Sequence, residues 1–591
     1  MTRTIFFASL LVLAACARGD GEAAAPKDAE RADGVASVGE GLPEADRPAA
    51  TGEWAVAAAH PLATEAGAEV LARGGSAIDA AIAIQATLGL VEPQSSGLGG
   101  GAFMLYWDAE TKRMTAYDGR EIAPASAGPD MFMTEAGTPM GFYDAVTSGF
   151  SVGVPGAVGM LGLAHEQHGR LDWASLFEAP ERHAAEGFTV TPRLSELLGQ
   201  LPRLKQSPAA AALFYHEDGT PVQPGETLRN PAYAETLRRL ADEGPGTFYT
   251  GQVAQEIVEA VTAKTGPGVL TMDDMAAYEP MVREPVCGPV LTYEVCSMGP
   301  PSSGGVTLLE ILMMLGDRIE PGAAYDQALL PYVEASRLAY ADRDRYLADP
   351  DYMAVGNASA EEIVTGLTNG AYLEGRSALI GEAPLPSVEP GEPVAQPIRE
   401  GRADDDSYGL PSTSHFSVRD AYGNVVSMTT SVEFAFGSHL MAGGMILNNQ
   451  LTDFSREPGD EDAPVANAPA PGKRPRSSMT PVIVLENEAP FIAIGSPGGP
   501  AIIGYVAKTL MWRMFLGDDI QSAVERPHVV TARDSVTAED EATANALRAL
   551  GYEPQVRALT SGLYGFQVDG NDVLPAVDPR REGTFETGTL D

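Results

Sequence analysis

Thr413 carries the greatest chemical potential in the chain, within the run Pro411-Ser412-Thr413-Ser414-His415-Phe416-Ser417-Val418. A threonine hydroxyl is a poor nucleophile without a base beside it. A cut before Thr413 would free its own α-amine, which titrates near about 7.7–8.0 and can be that base. The competing reading is structural, because threonine favours strands. A second candidate is Gly495-Ser496-Pro497-Gly498-Gly499. It joins a strand-like run to a helix beginning near Ala501, so backbone N–H groups would stand at a helix N-terminus, a fair anion or oxyanion site. Arg120, between a turn and Pro124, could clamp a carboxylate through its guanidinium fork. Taken alone it reads as a surface residue. The glycine run 97–101 could cradle a phosphate, but it lacks a following Lys-Ser/Thr and the G-x-G-x-x-G spacing. It reads as a tight packing loop.

These residues need elements to hold them. Residues 415–418 and 425–432 alternate as two strands around a turn at Asp420–Asn424, which predicts a β-hairpin opening just after Thr413. A helix is predicted over 62–73, stopped by Gly74-Gly75. Ser76 and Asp79 resemble a capping box for a second helix reaching Leu90, apolar all round and therefore buried. Residues 170–265 read as mostly helical, and 300–306 as a rigid loop into an apolar helix. A helix across 333–348 carries Arg337, Arg343 and Arg345 among Asp342 and Asp344, which reads as a solvated, salt-bridged face. Residues 376–412 are rich in Pro, Gly and acids without a period and read as a linker. Strands follow at 482–485 and 491–494. No internal repeat stands out.

With 591 residues the chain is long enough for a large core, and its net charge of −42 argues against nucleic acid as a partner. Arg3 and the short apolar run 5–13 lead to Leu13-Ala14-Ala15-Cys16, which resembles a bacterial lipobox. By that resemblance 1–16 is a lipoprotein signal peptide, Cys16 is lipidated, and the protein faces the periplasm. Residue 17 is Ala rather than Asp, which leaves the outer membrane as the expected location. The alternative is a plain secretory signal cleaved nearby. Residues 17–50 lack any aromatic and read as a disordered tether. Cys287 and Cys296 flank a possible hairpin and could pair in an oxidising compartment. No Cys or His cluster suggests zinc.

In this order, the segments His60-Pro61-Leu62-Ala63, Gly74-Gly75-Ser76-Ala77-Ile78-Asp79, Ser95-Ser96-Gly97-Leu98-Gly99-Gly100-Gly101, Arg120-Glu121, Pro301-Ser302-Ser303-Gly304-Gly305, Thr413-Ser414-His415-Phe416-Ser417, Asn448-Asn449-Gln450, Arg474-Pro475-Arg476-Ser477-Ser478-Met479, Gly495 to Gly499 and Asp578-Pro579-Arg580-Arg581 resemble the γ-glutamyltranspeptidase family of N-terminal-nucleophile hydrolases. The resemblance implies an α+β fold, a four-layer αββα sandwich. It implies a precursor that cuts itself between Ser412 and Thr413 into a large subunit, 51–412, and a small one, 413–591, which together build one catalytic domain. Thr413 would then attack a γ-glutamyl amide such as glutathione and pass the acyl group to water or to an acceptor amino acid or peptide. Gly498 and Gly499 match the family's oxyanion donors. Arg120 matches the holder of the substrate α-carboxylate, with Ser477 and Ser478 as hydroxyl partners. Gln450 and Asp453 match the surroundings of the α-ammonium. No cofactor or metal is required.

Three departures from the family pattern stand out. The second threonine, which orients the nucleophile, falls on Ser431, where a hydroxyl is kept. A position commonly held by Asn falls on Glu433, which either strengthens ammonium binding or signals an altered acyl donor. Two carboxylates there would raise one pKa unless a cation sits between them. The loop 455–472, where some relatives carry a lid, has no Tyr or Trp, which argues against a closed lid. Two other functions compete: a glutaryl or cephalosporin-type acylase on the same fold, and an inactive, lipid-tethered amino-acid-binding protein.

Overall fold

A computed structural model describes residues 52–590 except 317, 355–357, 395–411, 457–458, 461–462, 532–534 and 571. The expected signal peptide with Cys16, the expected tether and much of the expected linker lie outside the described residues.

Two antiparallel sheets form the centre. The first has seven strands. In chain order they are β1 (Glu53–Ala58), β2 (Gly101–Asp108), β3 (Arg113–Gly119), β4 (Met281–Arg283), β7 (Ser414–Arg419), β8 (Val425–Ser431) and β13 (Thr584–Thr589). Across the sheet the order is β13-β1-β7-β8-β2-β3-β4. The second sheet has six strands: β5 (Val286–Val290), β6 (Tyr293–Ser297), β9 (Val482–Glu486), β10 (Ala489–Ile494), β11 (Tyr564–Asp569) and β12 (Asp572–Val577), ordered β12-β11-β10-β9-β6-β5. The predicted hairpin is β7–β8, at the middle of the first sheet.

The period-2 alternation of β2 shows how the layers arise. Ala102, Met104 and Tyr106 join a core with helices α1 (Pro61–Ala72) and α2 (Ala77–Val91), while Phe103, Leu105 and Trp107 join a core with the second sheet. That second core also takes in α4 (Gly304–Gly316), α5 (Tyr325–Tyr346) and α6 (Ile502–Met514), whereas α3 (Ala157–His168) packs with the first. The architecture is the αββα sandwich. Every residue of α2 is buried, and the Ser76–Asp79 capping box is present, with Ser76 N donating to Asp79 Oδ2 at 2.9 Å and Asp79 N to Ser76 Oγ at 3.2 Å. The two sheets also share polar contacts. Ser427 Oγ donates to the Ile494 carbonyl at 3.2 Å. His415 lies buried between Thr429 Oγ1, 2.8 Å from its Nδ1, and Ser417 Oγ, 3.2 Å from its Nε2. Burial pushes its pKa down to about 3.

The glycine run 97–101 is a packing loop: a Cβ at Gly100 would lie 2.1 Å from the Ser431 carbonyl oxygen, so the loop presses directly on the end of β8. Cys287 and Cys296 face each other across β5 and β6 and form a disulfide.

Two expectations need correction. The charged stripe of α5 is not a solvated face. Glu334, Arg337, Asp342 and Arg343 are all buried. Asp342 accepts from Arg376 Nε and Nη2, both at 3.1 Å, from Tyr372 Oη at 2.8 Å and from Gly391 N at 2.6 Å. Spacing at i, i+3 pairs charges equally well against water or against a further protein layer. Here the covering layer includes part of the supposed linker. Leu385 N donates to Glu334 Oε2 at 3.0 Å, and Arg337 Nη1 donates to the Leu385 carbonyl at 2.9 Å. The described part of 376–394 is thus tied down by backbone bonds to buried acids. The second correction concerns Arg120, which is fully buried rather than on the surface.

Candidate active site

Thr413 sits one residue before β7, buried at the floor of a cavity of about 410 Å³. Its hydroxyl donates to the carbonyl oxygen of Ser412, the residue just before it. The Ser431 hydroxyl at the end of β8 is 3.0 Å from Thr413 Oγ1 and 3.5 Å from the Ser412 carbonyl oxygen. Ser412 is held in turn by its hydroxyl bond to the Gln94 carbonyl, and the Thr413 carbonyl accepts from Arg581 Nη1 at 3.1 Å. The hairpin register produces this meeting, because Thr430 pairs with Ser414 and so brings Ser431 opposite Thr413. A hydroxyl is thus pressed onto the adjacent peptide carbonyl with a second hydroxyl beside it.

One wall of the cavity collects polar groups. Glu433 follows β8 with φ of 78°, an uncommon conformation for a non-glycine residue, often found at functional sites. It is fixed by its N–H donating to Ser431 Oγ at 2.8 Å and by the Asn449 side-chain amide, which donates to its carboxylate. Asp453 accepts from Gln450 Nε2 at 2.8 Å and from Arg120 Nη2 at 2.6 Å. The cation paired with Asp453 is therefore Arg120, from behind. Its Nε donates to the Pro475 carbonyl and its Nη2 to the Arg476 carbonyl, each at 3.0 Å. Its Nη1 makes no hydrogen bond among the described residues and stands 3.6 Å from Glu121 Oε2. Glu121 is completely buried, and desolvation outweighs Arg120 to push its pKa up to about 8. Arg120 thus backs the wall and does not line the cavity.

Ser477 and Ser478 line the same wall. Ser303 Oγ donates to the Ser477 carbonyl at 2.7 Å, and Arg343 Nη2 donates to Ser478 Oγ at 2.8 Å. Gly498 and Gly499 line the cavity with Thr413, immediately before α6. Their φ values are 141° and 57°, which glycine adopts without strain, and a Cβ at Gly498 would lie 2.6 Å from the Tyr505 ring.

The family model described as gamma-glutamyltranspeptidase matches residues 63–587. The chain belongs to the γ-glutamyltranspeptidase family. It is an enzyme of γ-glutamyl hydrolysis and transfer. Relatives include the glutathione hydrolase proenzyme of Bacillus subtilis (strain 168), 37% identical over 480 residues, covering 79% of this chain and 78% of that one. The glutathione hydrolase proenzyme of Escherichia coli (strain K12) is 34% identical over 545 residues, covering 89% and 90%. Among solved structures, a cephalosporin acylase from Bacillus halodurans superposes with a TM-score of 0.78 at 26% identity, covering 93% of this chain and 99% of that chain. The Helicobacter pylori gamma-glutamyltranspeptidase gives 0.52 at 31% identity, covering 56% and 94%.

In this family member the structure gathers Ser412, Thr413, Ser431, Glu433, Gln450, Asp453, Ser477, Ser478, Gly498 and Gly499 around one cavity and sets Arg120 one layer behind it. Sequence reasoning missed Arg343, Arg476, Asn449 and Arg581. The spacing of the α5 charges suggests a solvated Arg343, whereas it is buried and its Nε donates to Ser303 Oγ at 2.9 Å. Arg476 directly precedes Ser477, and that adjacency was the available signal. None of the described residues of 455–472 lines the cavity.

Proposed function

We propose that Thr413 is the nucleophile of a self-processing γ-glutamyl hydrolase and transpeptidase that takes glutathione and related γ-glutamyl amides. The observation that carries this is the contact of the Thr413 hydroxyl with the Ser412 carbonyl, with Ser431 Oγ 3.0 Å from Thr413 Oγ1. Attack by Oγ1 on that carbonyl carbon forms an ester, breaks the peptide bond and leaves the nitrogen of Thr413 as a free amine. Water then hydrolyses the ester, releasing the carboxylate of Ser412. In the turnover reaction the same oxygen attacks the γ-carbonyl of the substrate. The Thr413 amine takes the hydroxyl proton and delivers it to the departing amine. The Gly498–Gly499 backbone faces the developing oxyanion, where removal of one donor typically costs about 10²–10³ in rate.

The Arg120–Asp453 pair stands where a zwitterion would bind. In this reading the α-ammonium takes Asp453, with Glu433 and Gln450 beside it. The α-carboxylate takes the Ser477 and Ser478 hydroxyls, with the guanidinium of Arg120 one layer behind the wall. A glutaryl substrate lacks the ammonium and would leave Asp453 and Glu433 without a cation to bind, which disfavours the acylase function despite the fold likeness. The large and small subunits are 51–412 and 413–591, and Cys16 tethers the mature enzyme to the envelope through lipid, facing the periplasm at the outer membrane.

The test is a denaturing gel with a rate assay. Wild type is expected as two fragments with γ-glutamyl-anilide turnover, and Thr413→Ala as one full-length chain without it. A wild type that stays one band beside an identical variant would sink the processing claim. Faster cleavage of a glutaryl amide than of the γ-glutamyl-anilide would overturn the substrate assignment. The intact mass of the mature protein reports signal removal and lipidation.

A further inference from the structure

A second cavity, of about 800 Å³, shares no lining residue with the one over Thr413. Small-molecule sites span about 300–1,000 Å³, so its size suits a ligand rather than a single water. Leu62, Phe188, Val190, Pro192 and Pro224 give it apolar walls. Two polar groups stand among them. His60 caps the start of α1, is 4% exposed, and accepts at Nδ1 from Leu62 N at 3.1 Å. Burial lowers its pKa to about 4, so at pH 7 the ring is neutral and its one proton sits on Nε2. That Nε2 has no hydrogen-bond partner among the described residues. Glu582, two residues before β13, accepts at Oε1 from Arg193 N at 3.0 Å, while its buried Oε2 has no partner there. Glu582 is the only formally charged side chain on this wall, since burial lowers the pKa of His183, the remaining titratable group, and keeps it neutral at pH 7.

The cavity thus holds one donor and one acceptor, both unsatisfied. They are near enough for the carboxylate to act on the imidazole, yet no hydrogen bond joins them. A buried polar atom left in that state is costly, and two of complementary kind on one cavity wall point to a group that serves both. An ammonium would satisfy Glu582 but set its positive charge against the His60 N–H. A carboxylate would satisfy His60 and be repelled by Glu582. A neutral group that accepts and donates satisfies both.

We propose that this cavity is a binding site for a neutral small molecule with an apolar body and a hydroxyl or carboxamide head. The head accepts from His60 Nε2 and donates to Glu582 Oε2, and the body lies against Leu62, Phe188 and Val190. The assignment is independent of the activity proposed above.

The experiment titrates four probes with one phenyl body, benzyl alcohol, benzamide, benzylamine and benzoate, into the whole protein by calorimetry. Wild type is expected to bind the alcohol and the amide about tenfold more tightly than the charged pair. His60→Asn keeps a side-chain oxygen to cap α1 but loses the Nε2 proton, and Glu582→Gln keeps an oxygen for Arg193 N but loses the second acceptor. Each variant is expected to weaken the neutral probes about tenfold, the equivalent of one lost hydrogen bond. Circular dichroism checks that both are folded, and either one alone suffices for the comparison. Neutral-probe affinity unchanged in a folded variant places the binding elsewhere, the Thr413 cavity included, and overturns the assignment. So does a wild type that binds neither neutral probe, because a bound water then satisfies the pair. Tighter binding of benzylamine or benzoate than of the neutral probes overturns the head group.

Discussion

Two buried clusters in this protein have the same composition and opposite uses. Each contains one arginine, one aspartate and one glutamate. In the first, Arg120 binds Asp453 at 2.6 Å beside a fully buried Glu121 whose oxygens find no hydrogen-bond partner among the described residues. In the second, Arg376 binds Asp342 at 3.1 Å through both Nε and Nη2, beside Glu310, likewise buried and without hydrogen-bond partners there. Desolvation pushes both glutamates up, so each is a neutral acid next to an ion pair. What differs is the aspartate. Asp342 is enclosed and takes further bonds from Tyr372 and Gly391. Asp453 turns one edge to the cavity, with its side chain 24% exposed. A closed pair holds helices together, whereas an open one leaves a carboxylate edge facing the cavity.

That contrast can be broken by mutation. The largest effect is expected from removing both acids of the closed cluster. Asp342→Asn with Glu310→Gln leaves Arg376 buried without a counter-ion, a loss of about 3–5 kcal/mol of stability read by denaturant melting. Turnover per folded molecule should be unchanged. The open cluster should respond the other way. Asp453→Asn is expected to lower kcat/KM for a γ-glutamyl-anilide by about 10²–10³-fold with a far smaller change in melting midpoint. A stability loss in that variant as large as in the first would erase the distinction.

Glu121 sharpens the comparison through pH. Its folded pKa of about 8 lies above the ordinary 4.5, so the folded state holds a proton that the unfolded chain has lost. Stability therefore falls as pH rises from about 4.5 to 8, by a penalty on the order of 3 kcal/mol at pH 7. Glu121→Gln should flatten that slope in thermal midpoints measured from pH 5 to 8. The smallest effect is expected from Asp342→Asn alone, where Glu310 can ionise and replace the lost charge, keeping the loss below about 2 kcal/mol.

Much of this was readable from residues alone. The β7–β8 hairpin, the Ser76–Asp79 cap, the buried α2 and the turn before α6 follow from period and local turn chemistry, and the structure has each of them. The site residues became legible only through the ordered resemblance, since a threonine at a strand start is ordinary. What stayed illegible was depth. The charges of α5 have the spacing of a solvated helix face, and nothing in that spacing says that residues 385 and 391 return to cover them. Arg120 was misplaced for the same reason: its partners, the carbonyls of Pro475 and Arg476, lie about 350 positions away in the chain. Non-local burial of charge is a property of the packed layers, which a short window cannot contain.

The strand order has one more consequence. β1 precedes Thr413, yet it is paired on one side with β13 and on the other with β7, both of which follow it. The second sheet likewise joins β6 from before the scissile bond to β9 from after it. Hydrolysis at that bond would therefore nick the polypeptide without creating a surface along which the halves could part. Dilution has nothing to act on, and only unfolding would separate them. Either half synthesised alone would expose unpaired sheet edges, so the proposed cut is expected to follow folding rather than precede it.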